Sequence, residues 1–406
     1  GPGFDQMKDF LRTNKTKIIS QGNKPAKLKG VNLGGWLMME AYILYAPNFP
    51  AKKFRKEFSC ALGKKALCSF EKEYRESFIR EADIKKISRL GFNCIRVPFN
   101  YRLIEKTPYC YDQEGVRFLD RVIRWAKKYK IWVILDLHAA PGAQNHDWHS
   151  DSLGKAELWT KKENQDRTLA LWEFLADRYK DEEYVAGYDL LNEAVLANTK
   201  LLNRFYKKVI KRIRSVDTNH ILFIEGNVWA TDVDCLDRFD DDNYVLSIHN
   251  YAPFEFAFNF IPHSSYPFKS PQGGWNAKTT RRHLLQYKKI SQERDLPIFV
   301  GEFGVNARQG LFGEDRWLAD VLKYFNDYGF HWTYWTYKAI KGGVMPDGIY
   351  SYVQNPPWVN RCGPLTGWDT YKQHWPSHQK AMIRSWHTEQ FQVNKEILKV
   401  LKNALR

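Results

Sequence analysis

The stretch Ile131-Trp132-Val133-Ile134-Leu135-Asp136-Leu137 is almost continuously apolar. Strands of a parallel sheet have this pattern because helices cover both faces of the sheet, which leaves no face for alternating polar residues. Amphipathic segments lie on either side of the stretch, at 116–129 and at 164–179, and both are predicted to be helices. The local pattern therefore predicts βα units of a parallel sheet.

The same alternation runs along the whole chain. We predict strands at 28–33, 93–97, 131–137, 185–191, 221–224, 244–249, 297–300 and 332–335. We predict helices at 71–90, 116–129, 164–179, 201–215, 279–294, 315–328 and 390–401. Eight βα units favour a single α/β domain, a closed (β/α)8 TIM barrel, over an open doubly wound sheet, which usually has fewer strands. No Gly-x-Gly-x-x-Gly follows a predicted strand, which weakens the dinucleotide-binding alternative further.

Residues 21–406 are expected to form this one domain, after a lead-in over residues 1–20 that begins with Gly1-Pro2-Gly3, typical of a tag remnant. Three connections are too long for simple turns: 41–69 after strand one, 250–277 after strand six and 336–379 after strand eight. All three follow the C-terminal ends of strands, the face on which barrel active sites are built. We therefore expect long loops around the functional site.

Charge and cysteine content exclude several classes of protein. The net charge is +16, but Lys and Arg are spread along the whole chain at helical spacing, which is typical of a solvated exterior, so no nucleic-acid partner is expected. The chain contains no uninterrupted apolar run of about 18 residues, so no membrane span is predicted.

The cysteines have different surroundings in the sequence. Cys94 lies in a predicted buried strand, where a free thiol is expected, whereas Cys60 and Cys68 are close enough in sequence to pair across a short loop. No cysteine spacing resembles a zinc site.

Polar residues stand at the C-terminal ends of the predicted strands, where barrel side chains point toward the substrate. They include Arg96, His138, Asn192, Glu193, His249, Tyr251, Glu302 and Trp335. Two glutamates at separate strand ends suit glycoside hydrolysis, which needs one carboxyl group as acid/base and another as nucleophile or base. Competing schemes lack their motifs, because the chain has no Gly-x-Ser-x-Gly elbow and no cysteine in a catalytic motif.

The loop after the third predicted strand contains His146-Asp147-Trp148-His149, in which two histidines are spaced i,i+3. Without the His-Glu-x-x-His arrangement this pair is a weak metal signal. We therefore expect neither a metal ion nor another cofactor, and we interpret the loop as a source of polar contacts to a sugar.

Short motifs in chain order resemble glycoside hydrolase family 5 over residues 28–338. The motifs are Ile95-Arg96-Val97-Pro98, Asp136-Leu137-His138, Leu191-Asn192-Glu193, the His249-x-Tyr251 pair and Gly301-Glu302-Phe303-Gly304. The resemblance implies a retaining double displacement with Glu193 as acid/base and Glu302 as nucleophile, and it favours a secreted enzyme. Retention predicts a separation of about 5–5.5 Å between the two carboxyl groups. The acid role requires a raised pKa of Glu193 or a proton shared with its neighbours.

The other strand-end residues receive supporting roles. Arg96 and Tyr251 are expected to hydrogen-bond and orient Glu302. The resemblance implies that Asn192 contacts the sugar 2-hydroxyl, that His138 and His249 are hydroxyl or carboxylate partners at the −1 subsite, and that Trp335 is the aromatic platform under the −1 sugar ring. A carbohydrate or glycoside is therefore the expected partner.

The identity of the substrate is less constrained. The stretch Asn32-Leu33-Gly34-Gly35-Trp36-Leu37-Met38-Met39-Glu40 resembles the exo-acting β-glucanase branch of the family, in which the glutamate at the position of Glu40 contacts the terminal glucose. Residues 249–256 instead resemble endo-acting members, so both modes of action stay open. A β-glucosidase or exo-β-glucanase is expected first, with an endo-β-glucanase of the cellulase type as the alternative.

The loop over residues 251–268 is unusually aromatic. Its rings are Phe254, Phe256, Phe258, Phe260, Tyr266 and Phe268. Three interpretations are open: plus subsites for a sugar chain, a site for a hydrophobic aglycone such as a lipid with the basic exterior against an anionic membrane, or packing onto the barrel rim. An inactive carbohydrate-binding barrel is the alternative outside enzymes, and the presence of both glutamates argues against it.

Overall fold

The computed structural model describes residues 8–46, 48–269 and 273–406. Eight parallel strands hydrogen-bond in chain order, and the last pairs with the first, which closes a barrel. The barrel strands are β1 Lys29–Asn32, β2 Cys94–Asn100, β3 Trp132–Ala139, β4 Val185–Asp189, β5 Ile221–Glu225, β6 Tyr244–His249, β7 Ile298–Glu302 and β8 His331–Tyr334. The predicted (β/α)8 barrel is confirmed, and each barrel strand overlaps its predicted range. The tag remnant expected at residues 1–3 lies outside the described residues.

Amphipathic helices surround the barrel and bury their apolar sides against it. The longer ones are α1 Ala51–Leu62, α2 Lys64–Phe78, α3 Glu81–Leu90, α4 Gln113–Lys128, α5 Lys162–Tyr179, α6 Thr199–Arg214, α7 Ala277–Arg294, α8 Glu314–Asp327, α9 Tyr371–Ser385 and α10 Lys395–Ala404. Short helices lie at Tyr101–Ile104, Asn227–Ala230 and Phe254–Ala257. Among the described residues, no helix is long and apolar enough to cross a bilayer.

The prediction of one helix over residues 71–90 is wrong. α2 ends at Phe78, Ile79 is extended, and α3 begins at Glu81. The side chain of Asp83 accepts a hydrogen bond from the backbone N–H of Arg80 at 2.8 Å, which satisfies an amide at the start of α3. Neither glycine nor proline marks this break in the sequence, so periodicity alone did not detect it.

The long connections after β1 and β8 fold against each other. α1 belongs to the first connection, and its Phe54 ring stacks on Trp368 of the second, with ring centroids 4.8 Å apart and planes 6° apart. The second connection also contributes Lys338–Ile340 and Tyr350–Tyr352 to a small sheet completed by Gln392–Val393. These connections are therefore packed structure at the active-site end of the barrel, not open loops.

The opposite end of the barrel is closed by the lead-in. Arg12–Asn14 and Lys17–Ile19 form an antiparallel hairpin, and Leu11 and Ile18 pack with inward-facing apolar side chains of the barrel, including Cys94. Residues 11–19 are thus part of the packed structure of the barrel. Burial raises the pKa of the Cys94 thiol, which keeps it protonated and unreactive.

The cysteines are all free thiols. The possible pairing of Cys60 and Cys68 is not formed, and both side chains are exposed. Cys94 is buried as expected for a core thiol. The fold therefore depends on its apolar core and its hydrogen bonds and not on covalent cross-links.

Candidate active site

A single buried guanidinium organises the C-terminal end of the barrel. The side chain of Arg96 is completely buried, and its nitrogens lie 3.0 Å from Asp136, 3.0 Å from Asp189, 3.2 Å from Glu225 and 2.9 Å from Glu302. One positive charge faces four carboxyl groups, which favours protonation of some of them. Burial, and then the neighbouring Asp189, raises the pKa of Glu225 well above its ordinary value.

Glu302, the last residue of β7, is held at both carboxylate oxygens. Arg96 Nη1 donates to Oε2 at 2.9 Å, and the Tyr251 hydroxyl donates to Oε1 at 2.8 Å. Gly301 allows this packing, because a Cβ there would lie 3.1 Å from the ring of Phe299 and 3.4 Å from His249 Nε2. The two contacts expected for Glu302 are therefore present, and they orient its carboxylate toward the barrel mouth.

The backbone of Glu193, which follows β4, is left-handed with a φ of 49°. A non-glycine residue pays roughly 1–2 kcal/mol for this conformation and keeps it only where its surroundings impose it. Glu225 Oε1 accepts a hydrogen bond from the Glu193 N–H at 3.0 Å, and Asn145 Nδ2 donates to the Glu193 carbonyl at 2.9 Å. One side chain from the end of β5 and one from the connection after β3 therefore hold the backbone of Glu193.

Two histidines contact the side chain of Glu193. His249 Nδ1 lies 2.5 Å from Oε2, and His149 Nε2 lies 2.9 Å from Oε1. Burial acts to raise the pKa of Glu193, but the charge and hydrogen bonds of His249 and His149 outweigh it and hold the pKa well below its usual range. Burial acts to lower the pKa of His149, and contact with Glu193 reverses this and raises it. A raised pKa of Glu193 is therefore not found, whereas a proton shared with its neighbours fits the geometry.

The carboxyl groups of Glu193 and Glu302 face each other across a narrow gap. One carboxylate oxygen of each, together with a ring nitrogen of His249, forms a group of atoms that all lie within 4.8 Å of one another. Retaining glycosidases separate their carboxyl groups by about 5–5.5 Å and inverting enzymes by about 6.5–9.5 Å. The observed spacing is of the shorter kind, with room for direct attack on a sugar carbon.

A polar pocket lies beside this pair. His138 Nδ1 is 2.7 Å from Asp136, and the His138 ring stacks on Trp335 with centroids 5.5 Å apart and planes 6° apart. The indole of Trp335 donates a hydrogen bond to the Tyr42 hydroxyl. Burial acts to lower the pKa of His138, but Asp136 and Glu40 overcome it and raise the pKa to about 10. Glu40 Oε2 is buried without a hydrogen-bond partner among the described residues, which leaves an acceptor available to a ligand hydroxyl.

The residues singled out from the sequence therefore converge on one site. His138, His249 and Glu302 are the last or next-to-last residues of barrel strands, and Asn192, Glu193, Tyr251 and Trp335 follow strand ends within four residues. Arg96, expected at a strand end, lies inside β2, and Glu40 lies in the connection after β1. Asn192 Oδ1 accepts a hydrogen bond from Arg96 Nη2 at 2.9 Å, and its Nδ2 lies 3.5 Å from His138 Nε2. The amide of Asn192 thus links the floor of the site to the polar pocket.

Sequence reasoning missed four contributors to this site. They are Tyr42, His149, Asp189 and Glu225. Glu225 has a signal in the sequence, an acidic residue directly after the apolar run 221–224, and Asp189 lies inside a predicted strand. Tyr42 and His149 lie in connections, where no periodicity indicates the direction of a side chain. His149 contacts Glu193, although its loop was interpreted as a source of sugar contacts.

Within the described parts of the chain, two groups of side chains have donor spacing that suits a cation. One is Glu193, His249 and Glu302, and the other is Asp136, Asp189 and Glu225. In the second group the guanidinium of Arg96 lies 3.0–3.2 Å from each carboxylate and supplies the positive charge there. The first group is the carboxyl pair together with the histidine that contacts Glu193.

Exposed apolar side chains form a rim on one side of the site. We call Phe254, Phe260, Ile261 and Val344, each about half exposed, the apolar rim. The rim continues into the site, because Phe258 contacts Phe254 and Phe260 and also the ring of Tyr251, at a centroid distance of 4.9 Å. Of the three interpretations of the aromatic loop, packing onto the barrel rim does not account for Phe254 and Phe260, whose side chains are half exposed.

A second exposed aromatic residue stands beside Glu193. Trp229 is 44% exposed, its backbone N–H donates to the carbonyl of Ala194 at 3.3 Å, and its indole donates to Asp147 at 2.7 Å. Its backbone is left-handed, with a φ of 55°. The indole is therefore held at the mouth of the site with one part of its surface open to solvent.

Comparisons with known proteins agree with this geometry. The profile described as Cellulase (glycosyl hydrolase family 5) matches residues 56–340. A β-xylosidase from Phanerodontia chrysosporium is 35% identical over 351 residues, covering 82% of this chain and 71% of the relative. A glucan 1,3-beta-glucosidase from Schwanniomyces occidentalis is 32% identical, covering 86% and 94%. The crystal structure of the endoglucanase Cel5A from Thermotoga maritima superposes with a TM-score of 0.62 at 21% identity, covering 92% and 96%, and this similarity concerns the fold.

Proposed function

The chain belongs to glycoside hydrolase family 5 and is a retaining β-glycoside hydrolase, and from this premise we propose that it removes a terminal β-linked sugar with Glu193 as acid/base and Glu302 as nucleophile. The observation that carries the assignment is the placement of these two carboxylates, with oxygens within 4.8 Å of each other at the ends of β4 and β7. This spacing supports direct attack by one carboxylate and excludes a water molecule between the sugar and the nucleophile.

In the first half of the reaction the Glu302 carboxylate attacks the anomeric carbon while Glu193 gives a proton to the leaving oxygen. The hydrogen bonds that Arg96 and Tyr251 donate to the two carboxylate oxygens of Glu302 restrict the rotation of this carboxylate. The bond to the aglycone breaks, the aglycone leaves as an alcohol, and the sugar remains as an ester on Glu302. The imidazolium of His138 and the amide of Asn192 face the pocket in which the sugar hydroxyls would sit.

In the second half, Glu193 removes a proton from water, and the resulting hydroxide attacks the same anomeric carbon. The ester bond to Glu302 breaks, the sugar is released with its original configuration, and Glu193 holds a proton again. The left-handed backbone of Glu193 places its carboxyl group for both steps, since Glu225 and Asn145 hold the N–H and the carbonyl on either side of the side chain.

Action on terminal sugars is supported by the wall of the pocket. Glu40 is 5% exposed, and its unpaired Oε2 is an acceptor for a hydroxyl group of a terminal residue. Tyr42, which accepts the hydrogen bond from Trp335, packs edge to face on Trp148 at 6.2 Å. Two of the relatives are named a β-xylosidase and a glucan 1,3-beta-glucosidase, which agrees with removal of single sugars.

Product analysis tests this proposal. The enzyme is incubated with laminari-, cello- and xylo-oligosaccharides and with aryl β-glucosides and β-xylosides, and the products are followed over time. Exo action releases monosaccharide from the first turnover, whereas release of internal fragments would support the endo-β-glucanase alternative. Glu302→Ala is expected to lose activity on all substrates by several orders of magnitude, and Glu40→Ala should lose activity on terminal sugars while remaining folded.

A second candidate substrate class is a glycoside with a hydrophobic aglycone. The apolar rim supports it, because exposed rings continuous with Tyr251 offer a surface for an apolar group next to the bond that is cut. The same surface, together with the net charge of +16, also supports the proposal of contact with an anionic membrane. In support of this class, the wild type should have a higher kcat/KM for octyl β-glucoside than for methyl β-glucoside, and the double variant Phe254→Ser/Phe260→Ser should lose this preference. Equal kcat/KM values for the two substrates in both enzymes would refute it.

A further inference from the structure

We propose that His149 is a positioning residue that holds the proton of the catalytic acid in the resting enzyme and passes it to Glu193 when a glycoside binds. The inference rests on the proposed function, because it takes Glu193 as the acid/base. It assigns a task to a side chain whose loop was interpreted from the sequence only as a source of contacts to a sugar.

The position of His149 is fixed from several sides. Its Nε2 lies 2.9 Å from Glu193 Oε1. The ring of Trp148 packs edge to face against the imidazole at 5.4 Å and is itself packed on Tyr42. The preceding Asp147 accepts a hydrogen bond from the indole of Trp229. Asp147 and Trp148 anchor the loop before His149, and Ser150 Oγ, which donates to the Asn145 carbonyl at 3.1 Å, anchors it after His149. The imidazole cannot turn away from Glu193 without losing its contacts with Glu193 and Trp148.

The other histidine at Glu193 is less suited to exchange a proton. His249 is almost completely buried, its Nε2 lies 3.2 Å from Glu225, and its Nδ1 also lies 3.6 Å from Glu302. Its ring is therefore part of the floor of the site. The side chain of His149 keeps 15% of its surface exposed, so its proton can exchange with solvent at the mouth of the barrel.

The charges that face His149 favour the imidazolium form. Glu193 contacts it directly, Glu40 faces it from the connection after β1, and Asp147 is in its own loop. On the far side of Glu193 stand His249 from β6 and Glu302 from β7. The carboxylates of Glu193, Glu40 and Asp147 agree with the raised pKa of His149, whereas His249 and His149 account for the lowered pKa of Glu193.

The catalytic cycle leaves the number of protons on the enzyme unchanged. In the resting enzyme the proton is on His149 Nε2 and Glu193 is a carboxylate. When a glycoside displaces water from the site, the proton moves to Glu193 Oε1 and then to the glycosidic oxygen as that bond breaks. In the second half Glu193 takes one proton from water and returns it to His149. One proton leaves with the aglycone and one enters from water, so each turnover restores the resting state.

Replacement of His149 by glutamine tests this assignment. The glutamine amide can donate a hydrogen bond to Glu193 but cannot carry the transferable proton. We expect kcat/KM of His149→Gln to fall about 100-fold or more for an alkyl β-glycoside, which needs protonation, and less than about threefold for a 2,4-dinitrophenyl β-glycoside, which does not. The basic limb of the pH profile for the alkyl substrate should move to lower pH, because Glu193 must then hold the proton itself. Equal losses on both substrates, or an unmoved basic limb, would overturn the inference.

Two further variants separate the inference from the proposed function. His378→Gln, an exposed histidine on α9, is the matched control and should match wild type. Glu193→Ala should lose alkyl glycoside activity and regain dinitrophenyl glycoside turnover with azide. If Glu193→Ala keeps wild-type activity, the assignment of the acid fails and this inference fails with it. If Glu193→Ala behaves as expected and His149→Gln matches wild type, only the role of His149 is refuted.

A measurement on the intact site covers the case in which His149→Gln does not fold. Nitrogen-15 NMR of histidine-labelled enzyme reports the protonation of each imidazole. The His149 resonances should be those of an imidazolium at neutral pH in wild type and titrate at lower pH in Glu193→Gln. A neutral His149 in the wild-type enzyme at pH 6 would overturn the inference.

Discussion

Glu225 Oε1 accepts a hydrogen bond of 3.0 Å from the backbone N–H of Glu193. The acceptor is the last residue of β5, and the donor follows β4 with a left-handed backbone. A buried acidic residue outside every recognised motif therefore sets the conformation of the proposed acid/base. The same carboxyl group contacts Arg96 and His249, so it connects three parts of the site.

Removal of this contact should reduce turnover more than binding. We expect Glu225→Ala to lower kcat about 100-fold, with a small change in KM, because Glu193 is no longer held in its left-handed conformation and shifts from its reactive position. Glu225→Gln keeps an acceptor for the Glu193 N–H and should lose less, about tenfold. Steady-state kinetics on an aryl β-glycoside measures both. Equal losses in the two variants would indicate that the charge of Glu225 matters and that the hydrogen bond does not.

Loss of the buried guanidinium should destabilise the fold. Arg96→Met leaves the carboxyl groups of the floor without their positive partner, and we expect the free energy of unfolding to fall by about 3–5 kcal/mol. Urea denaturation followed by tryptophan fluorescence measures it. Arg178→Met, which breaks the partly exposed pair with Asp120, is the control and should cost less than about 1 kcal/mol. Similar losses in both variants would contradict the special role of Arg96.

A buried histidine at the start of β8 should make stability depend on pH. The Nδ1 of His331 accepts a hydrogen bond from the Leu28 N–H at 3.0 Å, and burial, followed by Lys27 and Lys29, lowers the pKa of His331 from 6.5 to about 3. Below pH 6.5 the unfolded chain binds a proton that the folded protein does not, so this contribution is complete above pH 6.5 and is lost as pH falls toward 3.

His331→Asn isolates this effect, because an asparagine oxygen can accept the same hydrogen bond without titrating. Between pH 6 and pH 4 the free energy of unfolding of the wild type should fall more steeply than that of the variant, by up to about 1.4 kcal/mol per pH unit. Denaturant titrations at a series of pH values give the difference. Parallel curves for the two proteins would show that His331 is protonated in the folded state.

The exposed indole beside the acid should act on the leaving group. We expect Trp229→Ala to raise KM about tenfold for oligosaccharides and aryl glycosides, because a ring that stacks on the aglycone is lost. Glycosyl fluoride, which has no aglycone ring, should be hydrolysed at nearly the wild-type rate. An equal loss on glycosyl fluoride would contradict the binding of the aglycone by Trp229.

Much of the fold could be predicted from local patterns. All eight strands were located because a strand buried on both faces is a continuous apolar run, and this property does not depend on distant residues. The break between α2 and α3 was missed because it depends on the bond between Asp83 and the Arg80 N–H, and neither residue interrupts the apolar periodicity. The connections after β1 and β8 were expected as loops, but their packing, as in the stack of Phe54 on Trp368, joins residues over 300 positions apart.

The sequence by itself determined the barrel and the identity of its strand-end residues, including Glu193 and Glu302. Periodicity and strand ends are local features of the sequence, and a closed barrel brings the strand ends together. Only the tertiary structure decided how these groups are charged and aimed. Glu193 is flanked by His249 from β6 and by His149 from the connection after β3, and its backbone is held by Glu225. The pKa of a side chain depends on burial and on charges within a few ångströms, and residues far apart in the chain supply both.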